Sequence, residues 1–268
     1  MTAVGDSDPL ALTRTRPLAG RGALVTGVGR RSSIGYATAA RLAQMGADVF
    51  LQAWLPGDTV RTAESESVET LVDELRAHGT RIAHGAADLG DPDAPAALVA
   101  AAAAAVGPLD ILVAAHAHDR AAALEALTAE GIDRHLAVNV RGTLLLLQAW
   151  AARHDDARPG GRVVLFTTGQ HLHPMPADLA YVASKGALHQ LTGSLAAHLA
   201  PRRITVNTID PGPTDTGWPT PEVYRAVLDA SPQGRWGQPD DAARLIAWLA
   251  TDDAQWISGQ VIASRGGP

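Results

Sequence analysis

The sequence predicts an α/β fold: a single doubly wound parallel sheet of about seven strands, flanked by helices. Three observations lead there. Short apolar runs rich in β-formers alternate with longer runs of helical character. The strand candidates are apolar nearly throughout, as expected when helices cover both faces of a parallel sheet. A glycine-rich turn follows the first strand candidate and opens directly onto a helix candidate.

The elements follow in order. Gly22–Thr26 (GALVT) is the first strand, and Ile34–Met45 a helix stopped by Gly46. Asp48–Trp54 is the second strand. Val68–His78 is a helix ending at Gly79, and Arg81–Ala87 the third strand. The alanine-rich helix Ala94–Val106 ends at Gly107 and leads to a fourth strand, Ile111–Ala115. The second half repeats the pattern: helix Ile132–Ala152, strand Arg162–Thr168, helix Leu179–Leu199, strand Ile204–Ile209. A Pro/Gly-rich segment, Pro211–Pro221, interrupts it before helix Asp240–Ala250 and strand Gln260–Ser264. Strand–helix–strand repeats of this kind join parallel strands by right-handed crossovers. No linker, repeat or charge block divides the chain. Residues 1–20 read as a flexible N-terminal arm, and 21–268 as a single Rossmann-type domain with a substrate lid around 212–236.

Bulk properties narrow the function. Of 268 residues, 46% are hydrophobic and 19% charged, enough for a large core and too few charges for disorder. A net charge of -6 argues against nucleic acid as a partner. With no cysteine, thiolate catalysis and zinc–thiolate sites are impossible, and a reducing cytoplasm is the expected location. The longest apolar run, near Ala100–Val106, falls well short of the roughly 20 residues a membrane span needs, so no membrane is expected as a partner.

The turn TGVGRRSSIG, Thr26–Gly35, has the make-up of a pyrophosphate cradle. Glycines let backbone amides approach the phosphates, and the following helix N-terminus favours negative charge. Within it, Arg30 and Arg31 suit a phosphate monoester. The second strand ends Gln52-Ala53-Trp54, without the carboxylate that would bind ribose hydroxyls and repel a 2′-phosphate. Both features favour NADP(H); NAD(H) stays open.

Tyr181 and Lys185 are four residues apart at the start of a helix and so share a face. A phenol with an ordinary pKa of about 10 exchanges protons poorly at neutral pH. A neighbouring ammonium favours the phenolate, which makes the pair a candidate acid/base.

Beyond these readings, residues 20–267 resemble the short-chain dehydrogenase/reductase family. The matching motifs are TGVGRRSSIG, Asp88-Leu89, Asn139 in VNVRG, FTTG, YVASK, NTIDPGPTDTG and the tail from Arg235 to Ile262. The closest likeness is to bacterial members of the 3-oxoacyl-carrier-protein reductase kind. The resemblance implies that Tyr181 protonates a carbonyl oxygen while NADPH delivers hydride, that Lys185 holds the nicotinamide ribose, and that Asn139 holds a water. It puts Thr168, thirteen residues before Tyr181, where serine is usual; a threonine hydroxyl can still orient the carbonyl. Thr167 is the lesser candidate. For the cofactor it implies Gly27, Gly29, Arg30, Arg31, Ser33, Ile34 and Gly35 at the phosphates, and Ala53, Trp54, Asp88 and Leu89 at the adenine end. Ala115, His116, Ala117, Pro211, Gly212, Thr214 and Thr216, with Tyr181 and Lys185, would face the nicotinamide half. It also implies a homotetramer built through the two long helices and the C-terminal strand, with a dimer as the alternative.

Three departures stand out. The glycine turn is two residues longer than usual, with Ser33 at the middle glycine. Ala114-Ala115-His116-Ala117 stands where the family has Asn-Asn-Ala-Gly, whose first Asn stabilises the central sheet. The last strand ends ASRGG, where an acid often precedes the glycines. His116, His118, His171 and His173 are expected near the pocket mouth, as substrate-pocket lining or plain surface histidines, without a metal. His171, His173 and Trp218 are the substrate-contact candidates. The expected substrate is a small-molecule or carrier-bound carbonyl: a 3-oxoacyl group or a secondary-metabolite ketone. For a carrier-bound one, Arg202, Arg203 and Arg225 are the candidate basic contacts. The competing reading, motivated by Ala114–Ala117, is an inactive NADP(H)-binding regulator or scaffold. Enoyl reduction would want a tyrosine seven residues before the lysine, where Asp178 stands.

Overall fold

The computed structural model describes residues 16–54 and 67–267. Seven strands form one parallel sheet in the order β3-β2-β1-β4-β5-β6-β7. They are β1 (Gly22–Thr26), β2 (Asp48–Ala53), β3 (Ile82–Ala86), β4 (Leu109–Ala114), β5 (Arg162–Phe166), β6 (Thr205–Asp210) and β7 (Val261–Ala263). The expected doubly wound α/β architecture is therefore the observed one.

Alternation along the strands divides the core. Ala23 and Val25 of β1 face α1 (Ile34–Gln44), α2 (Val68–Arg76) and α8 (Pro239–Leu249). Leu24, between them, faces the opposite side with α3 (Ala94–Val106), α5 (Thr143–Arg153) and α6 (Leu179–Leu199). Side chains of period two supply both faces, which is why the strand sequences are apolar throughout.

Several boundaries differ from the expectation. Strands β2, β3 and β5 stop one or two residues early, so Trp54, Ala87, Thr167 and Thr168 lie on the loops at the strand tips. The expected helix 132–152 is three pieces: α4 (Ala129–His135), a π-helical turn (Leu136–Gly142) and α5. The Pro/Gly-rich segment leads into α7 (Pro221–Ala230), capped by Thr220 with Pro221 at its first position, a start signal that the preceding glycines and prolines masked. Residues 1–15 of the expected arm lie outside the described residues. Residues 16–20 are anchored: Leu18 is fully buried and its amide donates to the Met45 carbonyl at 2.9 Å.

The strand order reverses at β1, whose neighbours are β2 and β4. A crevice outside the carboxyl ends of the strands at such a switch point is where ligands bind in open α/β sheets.

Candidate active site

A cleft of about 290 Å3 opens there, between the β1–α1 turn and the start of α6. Its phosphate end is built by close approach. Gly27 has φ +75°, and a Cβ on it would lie 2.7 Å from the Ala115 carbonyl group at the end of β4. A Cβ on Gly35 would lie 2.7 Å from the Gly27 carbonyl oxygen. Only glycine fits at either place. Ser33, at the usual glycine position, caps α1: its hydroxyl accepts from the Tyr36 amide at 3.0 Å and donates to the Arg30 carbonyl at 2.7 Å. Gly29, Arg30, Ser33 and Ile34 line the cleft with Gly27 and Gly35. The turn and the α1 N-terminus thus present backbone, a cap and one guanidinium to a common space, a fit for a dinucleotide phosphate.

Arg31 is not part of that lining. Its guanidinium forks onto both carboxylate oxygens of Glu74 on α2. Ala53 is buried and also stands back from the cleft, while Trp54, 38% exposed, lines it. Asp88 and Leu89 line it too. The Asp88 carboxylate is held by Arg134 of α4 through both oxygens, at 2.9 and 3.0 Å, and by the Gly90 amide at 2.9 Å.

Gln52 and Arg134 are cleft residues that sequence reading passed over. Gln52 joins three strand tips: its carbonyl accepts from the Gly27 amide at 3.0 Å and its amide donates to the Ala87 carbonyl at 2.7 Å. A glutamine inside the apolar run DVFLQAW was its available signal. Arg134 carried none, because its partner lies 46 residues earlier.

At the other end, Ala115, His116, Ala117 and His118 line the cleft beside Tyr181. His116 is buried, and its imidazole shares hydrogen bonds with Thr26 at 2.7 Å and Thr143 at 3.2 Å. Burial, with Lys185 nearby, pushes its pKa down to about 3, so it is neutral. Burial and the neighbouring His135, Arg134 and Arg120 push His118 down to about 4.

Tyr181 and Lys185 occupy successive turns of α6, with the Lys185 ammonium 5.6 Å from the Tyr181 ring centre. Lys185 is buried and donates to the Phe166 carbonyl at 3.3 Å. Burial lowers the lysine to about 8, against the raising influence of Asp119. Burial, reinforced by Asp119, Asp178 and Asp210, raises the Tyr181 phenol instead of lowering it. The phenol is therefore a protonated donor at neutral pH.

Asn139 sits fully buried in the π turn. Its side-chain amide donates to the His118 carbonyl at 2.9 Å and the Ser184 hydroxyl at 2.8 Å, and its carbonyl accepts from the His118 amide at 2.7 Å. The side chain joins the post-β4 loop to α6. Thr167 is buried and its hydroxyl donates to the Lys185 carbonyl at 3.1 Å. The half-buried Thr168 hydroxyl bonds to no protein group among the described residues, and Thr168 is not among the residues that line the cleft.

The segment after β6 is a folded flap. Its base is closed between Asp215 and Gly237 at 2.9 Å. Trp236 is buried, stacks on Tyr224 at 5.1 Å and meets Trp218 edge-on at 5.8 Å. Thr216 and Trp218 line the cleft, and the Ser32 hydroxyl donates to the Thr216 carbonyl at 3.1 Å. Pro211, Gly212 and Thr214 form the flap's root, outside the lining. Arg265, where an acid is usual, pairs at 2.8 Å with Asp210, buried at the end of β6. His171 and His173 are exposed and do not line the cleft. Arg202 is committed to Asp156 at 2.8 Å. Among the described residues, no group of three or more His, Cys, Asp or Glu is placed to hold a metal, and no helix is long and apolar enough to cross a membrane.

A doubly wound sheet, a glycine cradle at its switch point and a tyrosine in the same cleft, backed by a buried lysine one turn on, define an oxidoreductase of the nicotinamide-dependent type. The chain belongs to the short-chain dehydrogenase/reductase family. Residues 27–268 match the family model described as "Enoyl-(Acyl carrier protein) reductase". An uncharacterized oxidoreductase, YjdA, of Bacillus subtilis is 38% identical over 91% of this chain and 95% of its own. The promiscuous reductase LugOII, which catalyses keto-reduction at C1 during lugdunomycin biosynthesis, superposes with a TM-score of 0.83 at 34% identity, covering 94% of this chain and 98% of that one. A blue fluorescent protein from a metagenomic library, solved with NADPH, gives a TM-score of 0.83 at 32% identity over 94% and 98%.

Proposed function

We propose that this protein interconverts a ketone and a secondary alcohol, using NADPH, with Tyr181 as the acid/base. The observation that carries this is Tyr181, half-buried in the lining at one end of the cleft whose other end is the glycine cradle, with the buried Lys185 one turn behind it on α6. The chemistry that NADPH would supply when bound is a hydride for the carbonyl carbon. Tyr181 gives its proton to the carbonyl oxygen, and the raised phenol pKa keeps that proton available at neutral pH. The Lys185 ammonium, charged below about pH 8, favours the phenolate left behind. Thr168 orients the carbonyl oxygen. Gly27, Gly29, Gly35 and the α1 N-terminus would hold the pyrophosphate, and Arg30 the 2′-phosphate.

A small-molecule ketone suits the site better than a carrier-bound one. Asp119 in the cleft wall and Asp178 beside it give the Tyr181 end an acidic border, and Arg202 is already paired. The keto-reduction by LugOII supports the same class. Enoyl reduction is disfavoured by Asp178 at the position where a tyrosine would be needed. An inactive binding role is disfavoured by His116, whose bonds to Thr26 and Thr143 tie together the region where the family's asparagine is missing. We further propose a homotetramer, supported by large apolar residues left exposed: Trp248 on α8, Trp256 after it, and Ile132 and Leu136 on α4 and the π turn.

The test is NADPH oxidation with a panel of aliphatic and aromatic ketones. Tyr181→Phe is expected to lower kcat by about 10²–10⁴, with NADPH affinity kept. Full activity in that variant sinks the mechanism, and tight NADPH binding without turnover in the wild type replaces it with the binding role.

A further inference from the structure

Asp119 stands in the lining of the cleft with Tyr181, and the loop that carries it is pinned on both sides. On one side the Asn139 side chain bonds both the amide and the carbonyl of His118, at 2.7 and 2.9 Å. On the other, the Arg120 amide donates to His135 Nε2 at 3.2 Å, and the Ala122 carbonyl accepts from the Leu179 amide at 3.3 Å. His135 is itself buried in α4, with its Nδ1 2.7 Å from the Gly131 carbonyl. The backbone around Asp119 is thus held by α4, the π turn and α6, while its carboxylate makes no hydrogen bond or ion pair among the described residues. We propose that Asp119 is a specificity-determining residue and that the preferred substrate is a ketone carrying a cationic nitrogen, which this carboxylate holds in the cleft. This deepens the ketone-reductase reading above and rests on it.

The physical case is one of an unanswered charge. A carboxylate drawn out of water costs free energy unless an opposite charge or a donor meets it. Asp119 is open to the cleft, yet its surroundings desolvate it and, with Asp178, push its carboxyl pKa up, against the pull of His135 and Lys185. Its charge in turn raises both Tyr181 and Lys185, which places it at the reacting end of the cleft. The cations nearby are engaged elsewhere. Lys185 donates to the Phe166 carbonyl, and Arg134 grips Asp88. Arg120 is exposed and makes no ion pair with Asp119. His118, pushed down to about 4, is neutral and offers no charge. A cationic nitrogen in the cleft supplies the missing partner and favours the ionised carboxylate. Asp178 is the lesser candidate, because it does not line the cleft.

The test uses methyl ketones of increasing chain length that end in a trimethylammonium group, each paired with its tert-butyl isostere. The two differ in charge and hardly in shape, and the quaternary nitrogen keeps its charge at every pH. kcat/KM is measured for each on the full chain with saturating NADPH. The expected result is a preference of about three- to twentyfold for the cation at one chain length or more, falling to about one in Asp119→Asn. The preference is a ratio taken within one protein, so changes in folding or in Tyr181 cancel from it. Asp178→Asn should move the ratio less. No preference at any length, a preference that survives in Asp119→Asn, or a larger loss in Asp178→Asn overturns the proposal. A protein that reduces neither kind of ketone overturns the reductase reading. Calorimetry of the same pairs on the NADPH-bound protein then decides on Asp119 alone, by the same ratio of affinities.

Discussion

The His116 imidazole and the Thr26 hydroxyl lie 2.7 Å apart and tie the loop after β4 to the last residue of β1. With Thr143 on the other ring nitrogen, the imidazole spans from the sheet to the start of α5. His116→Ala leaves two buried hydroxyls short of this partner. It is expected to cost about 1–3 kcal/mol of stability, read by urea unfolding, and to weaken dinucleotide binding because the same loop lines the cleft.

The same residue sets a pH dependence. Its folded-state pKa of about 3 lies below the ordinary 6.5. Between those values the unfolded chain binds a proton that the folded one refuses, so stability rises with pH there. The contribution is full above the unfolded value and is lost as pH falls from it toward the folded one. His118, lowered to about 4, adds in the same direction. A His116→Asn variant should lose less stability than the wild type on going from about pH 7.5 to 5. Identical losses would exclude His116 as a source.

Much of the fold was legible because each strand and helix carries its own signal. The runs GALVT and RVVLF are apolar on both faces, and α1 and α3 end at glycines that stop helices locally. The Gly27 and Gly35 cradle and the Tyr181/Lys185 spacing are likewise local patterns, and the structure sets the glycines and Tyr181 in the lining of one cleft, with Lys185 behind it. What sequence missed depends on partners far along the chain. Arg31 reads as a phosphate ligand until Glu74 arrives from α2, 43 residues later. The loss of asparagine at Ala114 reads as a weakness until Thr26 and Thr143 meet around His116. The raised Tyr181 phenol comes from burial and three aspartates gathered by folding, which a four-residue spacing cannot disclose.

Thr167 and Thr168 offer a discriminating pair. The Thr167 hydroxyl is spent on the Lys185 carbonyl, whereas that of Thr168 is free of protein partners among the described residues. Thr168→Val is expected to lower kcat by about 10–100-fold, in line with losing one hydrogen bond made to a developing charge. Thr168→Ser should restore most of it. Thr167→Val should instead lower the melting temperature, with a smaller change in kcat. A reversed pattern would assign the substrate to Thr167.

Arg134 and Asp88 make the adenine end of the cleft a test of positioning. The family resemblance places Asp88 at the adenine amine, and Arg134 fixes that carboxylate with two bonds while lining the cleft itself. Both side chains are about one-third exposed, so the ion pair adds little to global stability. Arg134→Ala should therefore leave the melting temperature nearly unmoved. Freed from one side, the Asp88 carboxylate samples more orientations, and the ordering must then occur on binding. The expected result is a rise of about three- to tenfold in the dinucleotide dissociation constant, equal for NADPH and NADH because the adenine ring is common to both. A loss confined to NADPH would instead make Arg134 a phosphate ligand, and the calorimetric comparison of the two cofactors separates those roles.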